Sequence, residues 1–180
     1  MKLFIKIVRE SIFVLIIAAL LSSIGGIALK SVEASLVTIV PLIIILPALN
    51  DMIGDFGIIL VSRFTTALYM HKKTKIIAKH LFKDVLLIAL ISAIYIALLG
   101  TLFSPTKGFS FDIAFLLKMI ILTLITTFVL VLINFFIALF AGKYVYKKKI
   151  DPDDVLIPLT TSIADLGAMI VLALLVLWLF

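Results

Sequence analysis

Residues 47–66 read PALNDMIGDFGIILVSRFTT and place Asp51, Asp55 and Arg63 inside one of the most apolar stretches of the chain. A charged side chain at the centre of a bilayer costs roughly 2.5 to 3.5 kcal/mol on insertion scales. Three such side chains in one stretch are therefore expected to have a function, because ionisable residues at membrane depth commonly mark ion pathways or proton relays.

The composition of the 180-residue chain is that of a membrane protein. Hydrophobic residues make up 64%, charged residues 14%, and the mean hydropathy is +1.38. Soluble domains are about 45–50% apolar and about 25% charged, so this chain has too little polar surface to cover a soluble globule. The chain has no cysteine, which excludes a disulfide framework, a thiolate metal site and a cysteine nucleophile.

Five stretches are apolar and long enough to cross a bilayer, which takes about 20 residues. They predict an all-α membrane protein with a single transmembrane domain over residues 1–180 and no soluble domain. The second stretch is longer than a simple span, and Pro41, Pro47 and the polar patch at 50–57 predict that it is broken. The predicted spans are residues 11–29, 36–70, 84–103, 112–141 and 155–180.

Loop charge predicts the orientation of the chain in the cell (plasma) membrane. The N-terminus and the loops after the second and fourth spans carry twelve Lys and Arg residues, whereas the other side carries only Lys30 and Lys107. Because basic loops stay in the cytoplasm, the N-terminus is predicted to be cytoplasmic and Phe180 to lie outside. The basic residues behind the net charge of +6 lie mainly in these loops, so we attribute that charge to contact with anionic lipid rather than with nucleic acid.

Oxygen-bearing side chains share a helix face in each of three spans. Asp51 and Asp55 are four residues apart in the second span, which places both on one side of a helix. Thr161 and Asp165 have the same spacing in the fifth span. Ser162 of the fifth span and Thr127 and Asn134 of the fourth also belong to these polar faces, and Asn50 and Gly54 lie beside Asp51 and Asp55 in the polar patch at 50–57.

This set of donors suits a hard cation. The only histidines, His71 and His80, belong to a predicted loop, so the polar faces offer oxygen alone. Mg²⁺, Mn²⁺ and Ca²⁺ prefer oxygen ligands, and one or two carboxylates with retained waters suit Mg²⁺ better than a full Ca²⁺ cage. The candidate metal ligands are Asp165, Asp55, Asp51 and Asn50.

Some of these residues also have a purely structural interpretation. Thr127 can bond back to its own helix, and Asn134 can join two helices. Arg63 can neutralise Asp51 or Asp55, or extend toward the cytoplasmic interface. With one deep arginine for three acids, at least one acid lacks a basic partner within the chain.

Two segments resemble the MgtE-type divalent cation transporters, a family related to the animal solute-carrier magnesium transporters. GDFGIILVSRFTT at 54–66 resembles the family's glycine–asparagine motif and the Ser-Arg-Leu-Ser-Thr sequence that follows it. DPDDVLIPLTTSIADLGAMIVLALL at 151–175 is similar to a second motif, in which Asn/Asp-Pro-Asp precedes a proline, hydroxyl residues and an Asp of the closing helix.

The resemblance implies a homodimeric pore at a two-fold axis that conducts Mg²⁺, or else Mn²⁺, Co²⁺ or Ca²⁺, as the transported ion, with no permanently bound cofactor. It also implies that Asp165 lines the ion site at the dimer axis. Asp55 occupies the position of the family asparagine, and this departure adds a negative charge to the site.

The sequence therefore predicts divalent cation transport by a homodimer in the lipid bilayer, with no nucleic-acid partner and with any regulation supplied by a separate protein. Asp165 and Asp55 would attract the ion and Arg63 would orient the acids. A Na⁺- or H⁺-coupled exchanger, an accessory subunit and a Mg²⁺-dependent membrane-embedded lipid enzyme remain alternatives. The enzyme is disfavoured, because phosphate-handling sites need several basic residues near the acids and only Arg63 lies deep.

Overall fold

The structure is a computed structural model that describes residues 2–71, 74–103 and 112–180. Three of the lysines on which the predicted orientation depends, Lys72, Lys73 and Lys107, lie outside the described residues. The side chains of four further basic residues that support the predicted orientation also lie outside the description: Lys2, Lys6, Arg9 and Lys75.

The described residues form six helices and no strand. Five of the helices are long and apolar enough to cross a membrane, which confirms the predicted all-α membrane fold with five transmembrane helices. The helices are α1 (Lys2–Lys30), α2 (Glu33–Thr38), α3 (Val40–Tyr69), α4 (Thr74–Phe103), α5 (Ile113–Lys147) and α6 (Pro152–Leu179).

The second span is long, as predicted, but its break lies N-terminal to the expected position. The chain leaves helical geometry at Ile39, with φ −104° and ψ 76°, between the short α2 and the long α3. Pro41 then falls in the first turn of α3, where a missing N–H removes no helical hydrogen bond. Pro47 lies inside α3, and the helix continues through it because α4, α5 and α6 pack around this span.

The helices α3, α5 and α6 pack against one another at the centre of the bundle, whereas α1 packs mainly against α6. One face of α3 carries large apolar side chains that are almost completely buried, and they recur with helical spacing. These are Leu42, Ile45, Leu49 and Ile53. The opposite side of α3 is therefore free to carry polar residues.

Glycines mark two places where helices approach closely. A methyl group added at Gly25 of α1 would lie 3.1 Å from the Cα atom of Leu166 in α6. One added at Gly142 of α5 would lie 3.3 Å from the ring of Phe64 in α3. In lipid, where packing rather than the hydrophobic effect associates helices, small residues of this kind allow close approach, of a backbone at Gly25 and of an aromatic side chain at Gly142.

Candidate ion site

The structure brings the predicted acids of α3 and α6 together in one polar cleft. The cleft has a volume of about 320 Å³ and lies between the two helices. Its walls are formed by side chains whose four-residue spacings predicted a shared face. The lining residues are Asn50, Asp51, Gly54 and Asp55 of α3 with Thr161 and Asp165 of α6.

Gly54 leaves the middle of this cleft open. Its backbone is buried against α6, and a methyl group built on it would lie 3.8 Å from Cγ2 of Thr161, an ordinary van der Waals distance. The two helices therefore come close at this level, with no side chain of α3 between them. A larger side chain at residue 54 would have to enter the cleft.

The cleft holds three carboxylates and few groups that balance their charge. Asp51 and Asp55 are exposed, and Asp165 is partly buried. Oδ2 of Asp165 accepts a hydrogen bond from Oγ of Ser22 at 3.3 Å. Within the described residues, the buried Oδ1 atom of Asn50 has no hydrogen-bond donor. Because carboxylates close together repel one another, this arrangement favours a bound cation.

The carboxylates of one chain line the cleft without forming a metal cage. In the part of the chain that the structure describes, no three acidic or histidine side chains are grouped so as to hold a metal ion. An open cleft of this kind suits a cation that keeps much of its water shell, as Mg²⁺ usually does. It equally suits a site whose coordination is completed by a second copy of the chain.

Two predicted site residues, Arg63 and Ser162, do not line the cleft. Arg63 is exposed and eight residues beyond Asp55, about 12 Å farther along the helix axis. Among the described side chains it makes no ion pair with Asp51 or Asp55, so it does not orient the acids in a single copy. Ser162 is buried and donates to the carbonyl oxygen of Pro158 at 2.8 Å, so it stabilises its own helix instead.

Asn134 and Thr127 lie behind the cleft, in the helix packing, and neither lines it. Asn134 is 1% exposed and Thr127 is fully buried. Nδ2 and Oδ1 of Asn134 and Oγ1 of Thr127 make no hydrogen bond in the described structure. A methyl group added at Gly57 would lie 2.9 Å from Nδ2 of Asn134 and 3.3 Å from Cβ of Thr160, so α3, α5 and α6 enclose this amide. Both residues therefore take the structural position between helices that the sequence left open for them, and neither lines this cleft in a single chain.

The buried amide leads to a stability prediction. An unpaired buried polar group costs about 1–3 kcal/mol, and leucine has the same branched arrangement of heavy atoms as asparagine without its polar atoms. We expect Asn134→Leu to raise the melting temperature of the detergent-solubilised protein by about 3–8 °C. Thr127→Val, which removes the other unpaired oxygen without a change of shape, should raise it by less. A lower melting temperature for both variants would mean that these polar groups are paired in the folded protein, whereas a lower value for Asn134→Leu alone would show that the larger leucine does not fit.

Ser22 was not among the predicted site residues, although it touches Asp165. It belongs to α1, and its sequence neighbourhood, SSIGG at 22–26, is a small polar interruption in an apolar span. That interruption was the only signal, and it does not identify a partner 143 residues away.

Comparison with known proteins adds one finding to this geometry. A family model described as "MgtE: Divalent cation transporter" matches residues 46–175, which is more than half of the chain. The matched region contains every residue that lines the cleft and leaves out α1 and α2. Neither the curated proteins nor the solved structures yielded a match.

Proposed function

Because the chain belongs to the MgtE family of divalent cation transporters, we propose that it carries Mg²⁺ across the plasma membrane through a homodimeric pore lined by Asp165 and Asp55. Transport of divalent cations follows from membership of the family itself. The family consists of transporters and not of enzymes, in agreement with the prediction that the chain has no enzymatic activity. The choice of ion, the dimer and the aspartate lining are the proposal.

The observation that carries the proposal is the cleft with three carboxylates between two transmembrane helices. Asp51, Asp55 and Asp165 form no ion pair with a basic side chain among the described residues. Charges at membrane depth are costly unless they are paired or hydrated, so a cation or its water shell is the expected partner. The lining offers only oxygen atoms, which favours Mg²⁺ and related hard ions over Zn²⁺ or Cu⁺.

The proposed dimer follows from the exposure of two of these acids. Asp51 and Asp55 are exposed in a single chain, and a carboxylate facing lipid would be strongly unfavourable. Two copies around a two-fold axis would turn each cleft toward its symmetry mate and enclose a hydrated path. Asn50 and Thr161 would then supply further oxygen atoms for the ion or its waters.

Uptake through such a pore needs no separate energy source. At a negative-inside potential of about 100 mV, a divalent ion gains roughly 4.6 kcal/mol on entry, since each charge is worth about 2.3 kcal/mol. The direction of flux through a passive pore is set by the electrochemical gradient, so the negative-inside potential drives entry from outside to inside whichever way the chain is oriented. For the chain itself we propose a cytoplasmic N-terminus and an external C-terminus.

Flux into liposomes that contain the purified protein tests this function. A negative-inside potential is imposed, and the entry of Mg²⁺, Mn²⁺, Co²⁺ and Ca²⁺ is recorded with ion-sensitive dyes. We expect Mg²⁺ entry that depends on the potential. Absence of flux for all four ions, in protein shown to be folded, would overturn the pore. Flux that requires an opposing Na⁺ or pH gradient would replace it with a coupled exchanger.

Asp55→Asn separates the roles of the two principal acids. Asparagine keeps the shape of the residue and restores the amide that the family motif has at this position, while Asp165 retains its charge. We expect transport to persist with a half-saturating Mg²⁺ concentration about threefold to tenfold higher, because one of three carboxylates is lost. Concentration-dependent flux in liposomes measures the change. Complete loss of transport would show that Asp55 is as essential as Asp165.

A further inference from the structure

We propose that α1 supplies a positioning residue to the ion site: the Ser22 hydroxyl holds one oxygen of Asp165 and leaves the other free for the ion or its water shell. The proposal rests on the proposed function, because it assumes that Asp165 faces the permeating ion. It concerns a helix outside the region that the family model matches, residues 46–175. Nothing in that match therefore assigns a role to Ser22.

The contact itself joins two helices that are far apart in sequence. Oγ of Ser22 donates to Oδ2 of Asp165 at 3.3 Å, and both side chains are partly buried. The adjacent Ser23 behaves differently, because its hydroxyl donates to the carbonyl oxygen of Ala19 in its own helix at 2.8 Å. Back-bonding of the Ser23 type is usual for hydroxyl residues in helices, so the cross-helix bond of Ser22 is a specific feature.

Close backbone packing holds Ser22 in place. Gly25 lies one helical turn after Ser22, and a methyl group added there would be 3.1 Å from Cα of Leu166 and 3.7 Å from the carbonyl oxygen of Asp165. The backbones of α1 and α6 therefore meet directly beside Asp165. Because α1 packs mainly against α6, this backbone contact sets the distance between the Ser22 hydroxyl and the Asp165 carboxylate.

A fixed carboxylate matters more for some ions than for others. A carboxylate can rotate about its Cβ–Cγ bond, and a donor to one oxygen restricts that rotation. Mg²⁺ requires nearly ideal octahedral geometry, whereas Ca²⁺ accepts variable and flexible coordination. Loss of the Ser22 hydroxyl is therefore expected to weaken the handling of Mg²⁺ more than that of Ca²⁺. General damage to the fold would not discriminate between the two ions.

The test compares Ser22→Ala, Ser22→Thr and Ser23→Ala in the liposome flux assay, with Mg²⁺ and Ca²⁺ in separate runs. Alanine is a good helix former, so both alanine variants should fold. We expect Ser22→Ala to raise the half-saturating Mg²⁺ concentration about fivefold, because a hydrogen bond to a charged acceptor is lost. Its maximal flux should change less than twofold, and its Ca²⁺ dependence less than its Mg²⁺ dependence. Ser22→Thr and Ser23→Ala should resemble the unchanged protein.

Four results would overturn the proposal. Ser22→Ala could match Ser23→Ala, or it could bind Mg²⁺ more tightly, which would mean that the hydroxyl competes with the ion. It could affect Mg²⁺ and Ca²⁺ equally, or Ser22→Thr could share its defect. Asp165→Asn in the same assay distinguishes this failure from that of the proposed function. If Asp165→Asn abolishes flux while Ser22→Ala has no effect, only the positioning role fails; if Asp165→Asn also conducts normally, the proposed ion path fails.

Discussion

Replacement of Asp165 by asparagine should reduce Mg²⁺ flux into liposomes at least about 100-fold, which corresponds to about 2.7 kcal/mol at 1.36 kcal/mol per factor of ten. Asparagine has the shape of aspartate and still offers an oxygen to the Ser22 hydroxyl, so the change removes charge with little change in packing. Two unit charges about 4 Å apart interact by roughly 4 kcal/mol at an effective dielectric of 20, and a divalent ion doubles that attraction. The loss of this one charge is therefore large enough for the expected effect.

Asp112→Asn is the matched control for this variant. Asp112 precedes α5, and its side chain accepts a hydrogen bond from the backbone N–H of Ala114 at 3.1 Å. Asparagine caps a helix as well as aspartate does, so the same chemical change at this exposed position should leave both folding and flux intact. If the flux of Asp165→Asn stays within twofold of that of the unchanged protein, Asp165 does not lie on the ion path.

Gly54→Phe should block transport while the protein remains folded. The absence of a side chain at residue 54 keeps the cleft of about 320 Å³ open between Asp51, Asp55 and Asp165. A phenylalanine ring at this position would occupy much of that space and replace the hydrated lining with apolar surface. We expect Mg²⁺ flux to fall by at least about tenfold, because a hydrated divalent ion would have to lose water molecules that an apolar constriction cannot replace.

Two substitutions separate blockage from damage to the helix. Gly54→Ala adds a methyl group at an ordinary contact distance of 3.8 Å from Thr161, so it should conduct nearly normally. Gly26→Phe introduces the same ring at an exposed position of α1 where an added methyl group meets no atom within 4 Å, and it should leave flux unchanged. Normal conduction by Gly54→Phe would show that the ions take another route.

The fold class and the acids of the cleft follow from local properties of the sequence. Hydropathy and segment length predict five membrane helices, because a bilayer requires about 20 apolar residues from each span. The four-residue spacings of Asp51 with Asp55 and of Thr161 with Asp165 place each pair on one helix face, because the helical period is 3.6 residues. Hydropathy and residue spacing are both properties of short segments, and the structure contains the five helices and places both pairs in one cleft.

The neighbours of each face are decided by tertiary packing. Ser22 touches Asp165 because Gly25 lets α1 rest on α6, and Asn134 is enclosed because Gly57 lets α3 approach α5 and α6. Arg63 lies too far along α3 to pair with the acids of its own helix. Helical periodicity states which residues share a side of one helix. Which sides meet depends on steric fit between segments distant in sequence, and that fit exists only when all the helices are assembled.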